Sequence, residues 1–358
     1  MPLDVLEVEG VARGIATAVS PAGGLTSTQA SLLRAVTLAL TDLDVDYRRL
    51  EPLASSDLAD LLAGHDLAYR HRIVHHMVLG ELVLRPLPDD VARRVEEYAA
   101  ALGIEDDFVR VARRYAEGRF GLAWTDLRRS GFTDRWDPEH HETLYTQARF
   151  GDPFAPGVID DDLARRWFAF ESLANGTLGR SIWEMYETRG FNFPGTPKSV
   201  SAYLAQHDFV HVVADYGTQL EGELEVFTLI GRADPDPRGF AWLATFVGLF
   251  ETGYVHQQGF FEIDVRERHL ATEGMTDRMA DALLRGKAVA ENFGTDLLSV
   301  DYHAVADRPL EEVRAMLHVP PKGSSAVAAG SPGIKDRDGM SESQRVHCDA
   351  YLLQQKPS

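Results

Sequence analysis

The chain has 358 residues, 44% hydrophobic and 25% charged, with a formal net charge of −19 and a single cysteine, Cys348. That excess of acid argues against nucleic acid as a partner, because phosphate binding needs clustered Lys and Arg, and it offers no basic patch to an anionic membrane. One cysteine excludes an internal disulfide and any multi-cysteine metal site, which points to a reducing, cytoplasmic setting.

The start, MPLDVLEVEGVARG, lacks a basic region followed by an apolar core, so a secretory signal is not expected. No run approaches the roughly 18 apolar residues that cross a bilayer. The nearest, FAWLATFVGLF at 240–250, reads as a buried helix. A lipid-facing surface there is the alternative, and it leaves a peripheral position at a membrane open.

In chain order, apolar residues recur at three- and four-residue spacing in TSTQASLLRAVTLALTDL (26–43), in the segment 56–84, and in PDDVARRVEEYAAALG (88–103), where Gly103 serves as a helix stop. Pro and Gly break the pattern across 132–157, the expected domain boundary. Helical patterns resume at 161–176, 177–190, 199–231, 239–255, 276–294 and 308–317. Pro309 suits the first position of the last of these, and Glu311 and Glu312 complement its dipole. From Pro320 the composition reads as a disordered tail. The expected fold is all-α, a multi-helix bundle, with a domain at 1–140, a second at 158–320 and a tail at 321–358.

The chemistry lies in SVSAYLAQHDFVHVVADYGTQLEGELEVFTLIG, residues 199–231. With 199–216 as a helix, His207, Asp208, His211 and Asp215 share an arc of roughly 100° while the rest of the circumference is mostly apolar. Such a helix is buried, so its polar arc needs partners. Gly217 reads as a stop and Thr218-x-x-Glu221 as a capping box for a returning helix. On that helix Leu220, Glu223, Phe227 and Ile230 form the inward stripe, whereas Glu225 falls on the water side. Two imidazoles one turn apart, Asp208 beside them and Glu223 facing them make a divalent-metal site between two adjacent helices. A buried His–Asp network without an ion is the other reading of the same residues.

His207-Asp208-x-x-His211, eleven residues and then Glu223 resembles the metal signature of the coenzyme Q (ubiquinone) biosynthesis protein four family. NGTLGRSIWEMYETRGF before it and DRPLEEVRAMLHVP after it are similar to that family's flanks, so the likeness covers roughly 165–320. The resemblance implies an all-helical domain holding a divalent metal, usually zinc, through His207, Asp208, His211 and Glu223. It also implies oxidative removal of the ring carboxylate from a prenylated hydroxybenzoate-type precursor. The implied partners are a prenylated aromatic or isoprenoid lipid, with 240–250 as a candidate wall for its tail, and other quinone-biosynthesis enzymes. A non-catalytic lipid-binding or scaffold protein with a structural metal is the alternative.

Asp215, one turn beyond His211, is placed to orient an imidazole or to move a proton. A solvated acid at the helix end is its equal alternative. Four protein ligands describe a closed zinc site, whereas catalytic zinc keeps a position open. Either coordination expands or one carboxylate stays outside the ligand set.

Other constellations are weaker. His71 and His75 are also one turn apart but lack a carboxylate, and they read as histidines at the core edge. His140 and His141 lie in a Pro-marked irregular segment. A zinc peptidase needs Glu where Asp208 stands, and the helical His-Asp phosphohydrolases need a further His from an upstream helix. The first 130 residues resemble tellurite-resistance B-like helical domains.

Overall fold

The computed structural model describes residues 5–84, 86–105, 107–116, 144–145, 157–235, 239, 243, 247 and 269–355. Among them are fourteen α-helices and no β-strand: α1 Val5–Val19, α2 Ser27–Thr41, α3 Ser55–Leu61, α4 Leu67–Leu82, α5 Asp89–Ala101, α6 Asp107–Ala116, α7 Asp161–Phe168, α8 Leu178–Arg189, α9 Ala205–Ala214, α10 Leu220–Ala233, α11 Met275–Asn292, α12 Leu310–Met316, α13 Ser324–Ala328 and α14 Glu342–Gln354. The all-α expectation holds. No helix among these residues is long and apolar enough to cross a membrane.

Two compact units divide the chain. One comprises 1–132 with 227–287, the other 133–226 with 288–358. The first break falls where Pro and Gly interrupt the helical pattern. The return of 227–287 to the first unit was not expected, and its ties are specific. Arg232 donates to the Ala39 carbonyl at the end of α2, and Lys287 pairs with Asp42, which caps that helix in a left-handed conformation. Periodicity identifies a helix but not the helix it docks on.

In the first unit α1 buries Val8, Val11, Ile15 and Val19, and it packs on α4 and α5. A capping box opens α2: the Thr26 hydroxyl accepts from Gln29 N at 3.1 Å and Gln29 Oε1 accepts from Thr26 N at 3.0 Å. The Gln29 amide also donates to Val19 O and Gly80 O, so one buried side chain joins α1 to α4. His71 and His75 stack with ring centroids 5.9 Å apart; His71 is half-buried as a core-edge residue, whereas His75, expected at the edge, is buried in the core. Beside them His76 is buried, and burial first, then Arg72, His75 and Arg232, hold its pKa down at about 3.

The second unit is organised around Trp167 of α7, whose ring lies 5.0 Å from Tyr186 of α8 and 5.2 Å from Phe209 of α9. Phe209 in turn stacks on Tyr302 at 4.7 Å. All ten residues of α9 are buried. This helix is shorter than the expected 199–216. It begins at Ala205 after a series of turns, and it stops at Asp215, which takes up a left-handed conformation at φ 58°. Asp tolerates that region better than most residues.

The segment from Pro320, expected as a disordered tail, is folded. It buries Ala326, Ile334, Met340 and Cys348, forms α13 and α14, and packs α14 against α8. The physical reason is backbone pairing rather than apolar content. Gly217 N donates to Pro332 O, and Thr218 N and Gln219 N to Gly339 O, so the segment straps the turn between α9 and α10. The approach is close enough that a Cβ on Gly217 would sit 2.5 Å from the Gly339 Cα, which requires glycine there. Arg189 braces the same place from α8, donating to the Thr218 hydroxyl at 2.9 Å and to the Ile334 carbonyl.

A buried neutral imidazole such as His76 stabilises the fold above its unfolded pKa of 6.5, and that contribution is lost as the pH falls towards 3. Urea unfolding should therefore show wild-type stability dropping by roughly 2–4 kcal/mol more than that of His76→Leu across this range. Parallel pH profiles for the two proteins would contradict this placement.

Candidate metal centre

Residues His207, Asp208 and His211 stand on α9, and Glu223 stands in the first turn of α10. The sharp turn at 215–219 lays the start of α10 beside α9, and Gly222 permits it, since a Cβ there would lie 2.0 Å from the Gly217 carbonyl. All four side chains are buried, His211 completely. Glu223 reaches both imidazoles: Oε1 is 3.2 Å from His211 Nε2 and Oε2 is 3.4 Å from His207 Nε2. Asp208 Oδ1 is likewise 3.4 Å from His207 Nε2. The donor atoms of His207, Asp208 and His211 lie within 4.8 Å of one another, a buried group that can hold a metal ion and the only one of its kind among the described residues.

These spacings discriminate. A charge-assisted N–H···O bond closes to about 2.7–2.9 Å, so the three His–carboxylate pairs are longer than the ion pairs they would otherwise form. Two donors each about 2.1 Å from one tetrahedral ion stand ~3.4 Å apart. The three observed separations, 3.2–3.4 Å, are compatible with donors to a common ion. Tautomers agree as well. A carbonyl can only accept, so the contact between His207 Nδ1 and Leu204 O puts the proton on Nδ1 and frees Nε2 to face the carboxylates. The His211 ring is fully enclosed; its Nε2 meets only Glu223 Oε1, at the long end of the hydrogen-bond range, and neither ring nitrogen makes a well-aligned hydrogen bond. A buried imidazole so placed is free to act as a metal ligand.

Electrostatics within the cluster are strongly coupled. Burial opposes charge on His207, yet Asp208 and Glu223 together outweigh it and lift the pKa to about 9. Burial likewise disfavours the Glu223 carboxylate, but His211 and His207 overcome it and hold its pKa at about 2. Burial pushes Asp208 up, against the pull of the two imidazoles and of Tyr186. These opposed shifts favour the charged forms of His207 and Glu223 facing each other, and a divalent cation bound there would compete with the proton.

Two expected roles change. Glu225, placed on the water side of α10 by periodicity, is fully buried, as are Leu224, Val226 and Thr228 around it. Helical spacing separates the faces of a helix without saying whether the second face is covered. Asp215 does not join the cluster: its Oδ1 accepts from Ile334 N at 2.9 Å, facing the Gly333 turn. Its role in the fold is to cap α9 and hold the C-terminal segment. Thr218 likewise serves that segment, receiving Arg189 and donating to Gln344 at 2.8 Å. Of the candidate lipid wall at 240–250 only Leu243 and Val247, both buried, are described. The remainder, with His140 and His141, lies outside the described residues.

Sequence reasoning missed Tyr186. Its hydroxyl donates to Asp208 Oδ2 at 2.5 Å from within the aromatic core. In the sequence it is one apolar-face residue of α8 among several, and no local pattern marks its hydroxyl.

Replacing Asp215 separates the two roles considered for it. Asp215→Ala should cost about 1–3 kcal/mol, from the lost bond to Ile334 N and the left-handed backbone. Asp215→Asn should cost much less, and both variants should retain any bound metal in stoichiometric amount. Loss of metal or of activity in a folded Asp215→Asn protein would restore Asp215 to the site. Comparison of the chain with family models, with curated proteins and with solved structures returns no match, so its functional reading rests on the residues of this cluster.

Proposed function

We propose that the chain is a metal-dependent carboxy-lyase of quinone biosynthesis. In this reading it holds one divalent ion, zinc, through His207, Asp208, His211 and Glu223, and oxidatively removes the ring carboxylate of a prenylated hydroxybenzoate-type precursor. The observation that carries the reading is the convergence of two imidazoles and two carboxylates, with nitrogen–oxygen separations of 3.2–3.4 Å, in one buried cluster. Its support from the sequence is the gapped motif that supplies all four.

When bound, the ion acts as a Lewis acid on the substrate carboxylate or the adjacent phenolate. The chain's own residues prepare that role. Asp208 and Glu223 offset the charge of a divalent cation in a place where two bare carboxylates would be costly. The Leu204 carbonyl orients His207, and burial of the cluster limits access by water. Written for a 4-hydroxybenzoate ring with dioxygen as oxidant, the reaction balances as acid plus dioxygen giving para-quinone, carbon dioxide and water. The electrons come from the ring, as a redox-inert zinc site requires. The partners in this reading are a prenylated aromatic or isoprenoid lipid and the neighbouring enzymes of the route.

One observation favours a second reading, a non-catalytic isoprenoid-binding or scaffold protein. All four donors are at least nine-tenths buried, the enclosure of a structural ion. Elemental analysis and turnover separate the two. Purified wild type should carry about one divalent ion per chain, and Glu223→Gln and His211→Ala should each bind it more than ~100-fold more weakly with unchanged circular dichroism. Wild type should also release carbon dioxide from a 3-prenyl-4-hydroxybenzoate in air. A protein without stoichiometric metal overturns both readings. One that holds metal, unfolds when chelated and releases no carbon dioxide supports the structural role.

A further inference from the structure

We propose that Tyr186 is a positioning residue that restricts Asp208 to binding the metal through one oxygen, and so reserves a coordination position for an external ligand. The inference rests on the metal reading above and concerns how that ion would be coordinated.

The two oxygens of Asp208 have separate fates. Oδ2 accepts the Tyr186 hydroxyl at 2.5 Å, while Oδ1 is the oxygen 3.4 Å from His207 Nε2, on the cluster side. A phenol donates and a carboxylate oxygen accepts, so Oδ2 is committed to the Tyr186 O–H. The phenol is not free to leave. Tyr186 is 1% exposed. Its ring packs against Trp167 at 5.0 Å, stacks on Phe193 at 5.0 Å and meets Phe191 edge-on at 5.5 Å. Turning the hydroxyl elsewhere would strand a buried donor and a buried acceptor together, at a cost of several kcal/mol.

The consequence is coordination arithmetic. Glu223 already divides its two oxygens between the imidazoles, Oε1 towards His211 and Oε2 towards His207. Four single-atom donors complete a tetrahedron, and zinc can expand to five. An unrestrained Asp208 would supply that fifth atom itself by chelating through Oδ2. With Oδ2 held by Tyr186, and with Glu223 binding through one of its two oxygens, the fifth position falls to a ligand from outside the chain. This resolves the conflict between a four-residue ligand set, which describes a closed site, and a catalytic role, which needs an open one.

Cobalt(II) in place of the native ion makes the coordination visible, and azide serves as the external ligand. Full-length wild type loaded with cobalt(II) should change its visible absorption on azide titration. In Tyr186→Phe the ring still fills the aromatic cluster. That variant should show an altered cobalt spectrum before azide and an azide affinity at least about tenfold weaker, the scale of lost outer-shell partners. Phe193→Leu, which loosens the same cluster without removing the hydroxyl, should keep the wild-type response. Wild-type spectrum and azide affinity in Tyr186→Phe would overturn the proposal, as would an equal loss in Phe193→Leu. If Tyr186→Phe does not fold, the wild-type titration still decides: a cobalt protein indifferent to azide has no reserved position. Failure of wild type to take up cobalt(II) at all would instead refute the metal reading itself.

Discussion

Four ionisable side chains share one buried point between α9 and α10, and the second unit is arranged around the cost of keeping them there. Two carboxylates and two imidazoles withdrawn from water are tolerable only if each meets a partner. His207 finds Leu204 behind it and Asp208 and Glu223 in front, whereas His211 meets the Glu223 carboxylate at 3.2 Å, the long end of the hydrogen-bond range. As a hydrogen-bonded network the set is stretched, and three of its members, His207, Asp208 and His211, form a group that can hold a metal ion.

Such a group works only if the turn joining the two helices is rigid. Three devices from distant parts of the chain converge on it. Asp215 ends α9 in a left-handed conformation and accepts from Ile334, Arg189 reaches across from α8, and the backbone at 332–339 pairs with 217–219. On the other flank Arg314 of α12 donates to the Val212 and Val213 carbonyls, satisfying groups that the end of a helix leaves open. The C-terminal segment is thus part of the site's support, although it contributes no donor to the cluster. A second layer of support comes from the aromatic group around Trp167, which delivers the Tyr186 hydroxyl to Asp208.

Much of this was legible from local pattern. The all-α class followed from apolar spacing at three and four residues, and the inward direction of His207, Asp208, His211 and Glu223 followed from the same arithmetic applied to two successive helices. Glu225 shows the limit: spacing put it opposite Glu223, and it is opposite, but that side is buried too. Asp215 shows another. As the next member of the His207–His211 stripe it belonged to the site only while the helix continued, and the helix stops at that residue. For residues 320–355 composition pointed the wrong way, because backbone hydrogen bonds to a turn a hundred residues earlier leave no mark on hydropathy.

Sequence alone therefore determined the all-α class, many of the helices, and the order and inward direction of the four clustered side chains, since each depends on a repeat of 3.6 residues along one helix. Tertiary structure alone decided which faces were covered, where 227–287 returned, how Asp215 and the C-terminal segment lock the turn, and that Tyr186 meets Asp208. Those outcomes depend on contacts between residues far apart in the chain. Periodicity describes one helix at a time and carries no information about its neighbour.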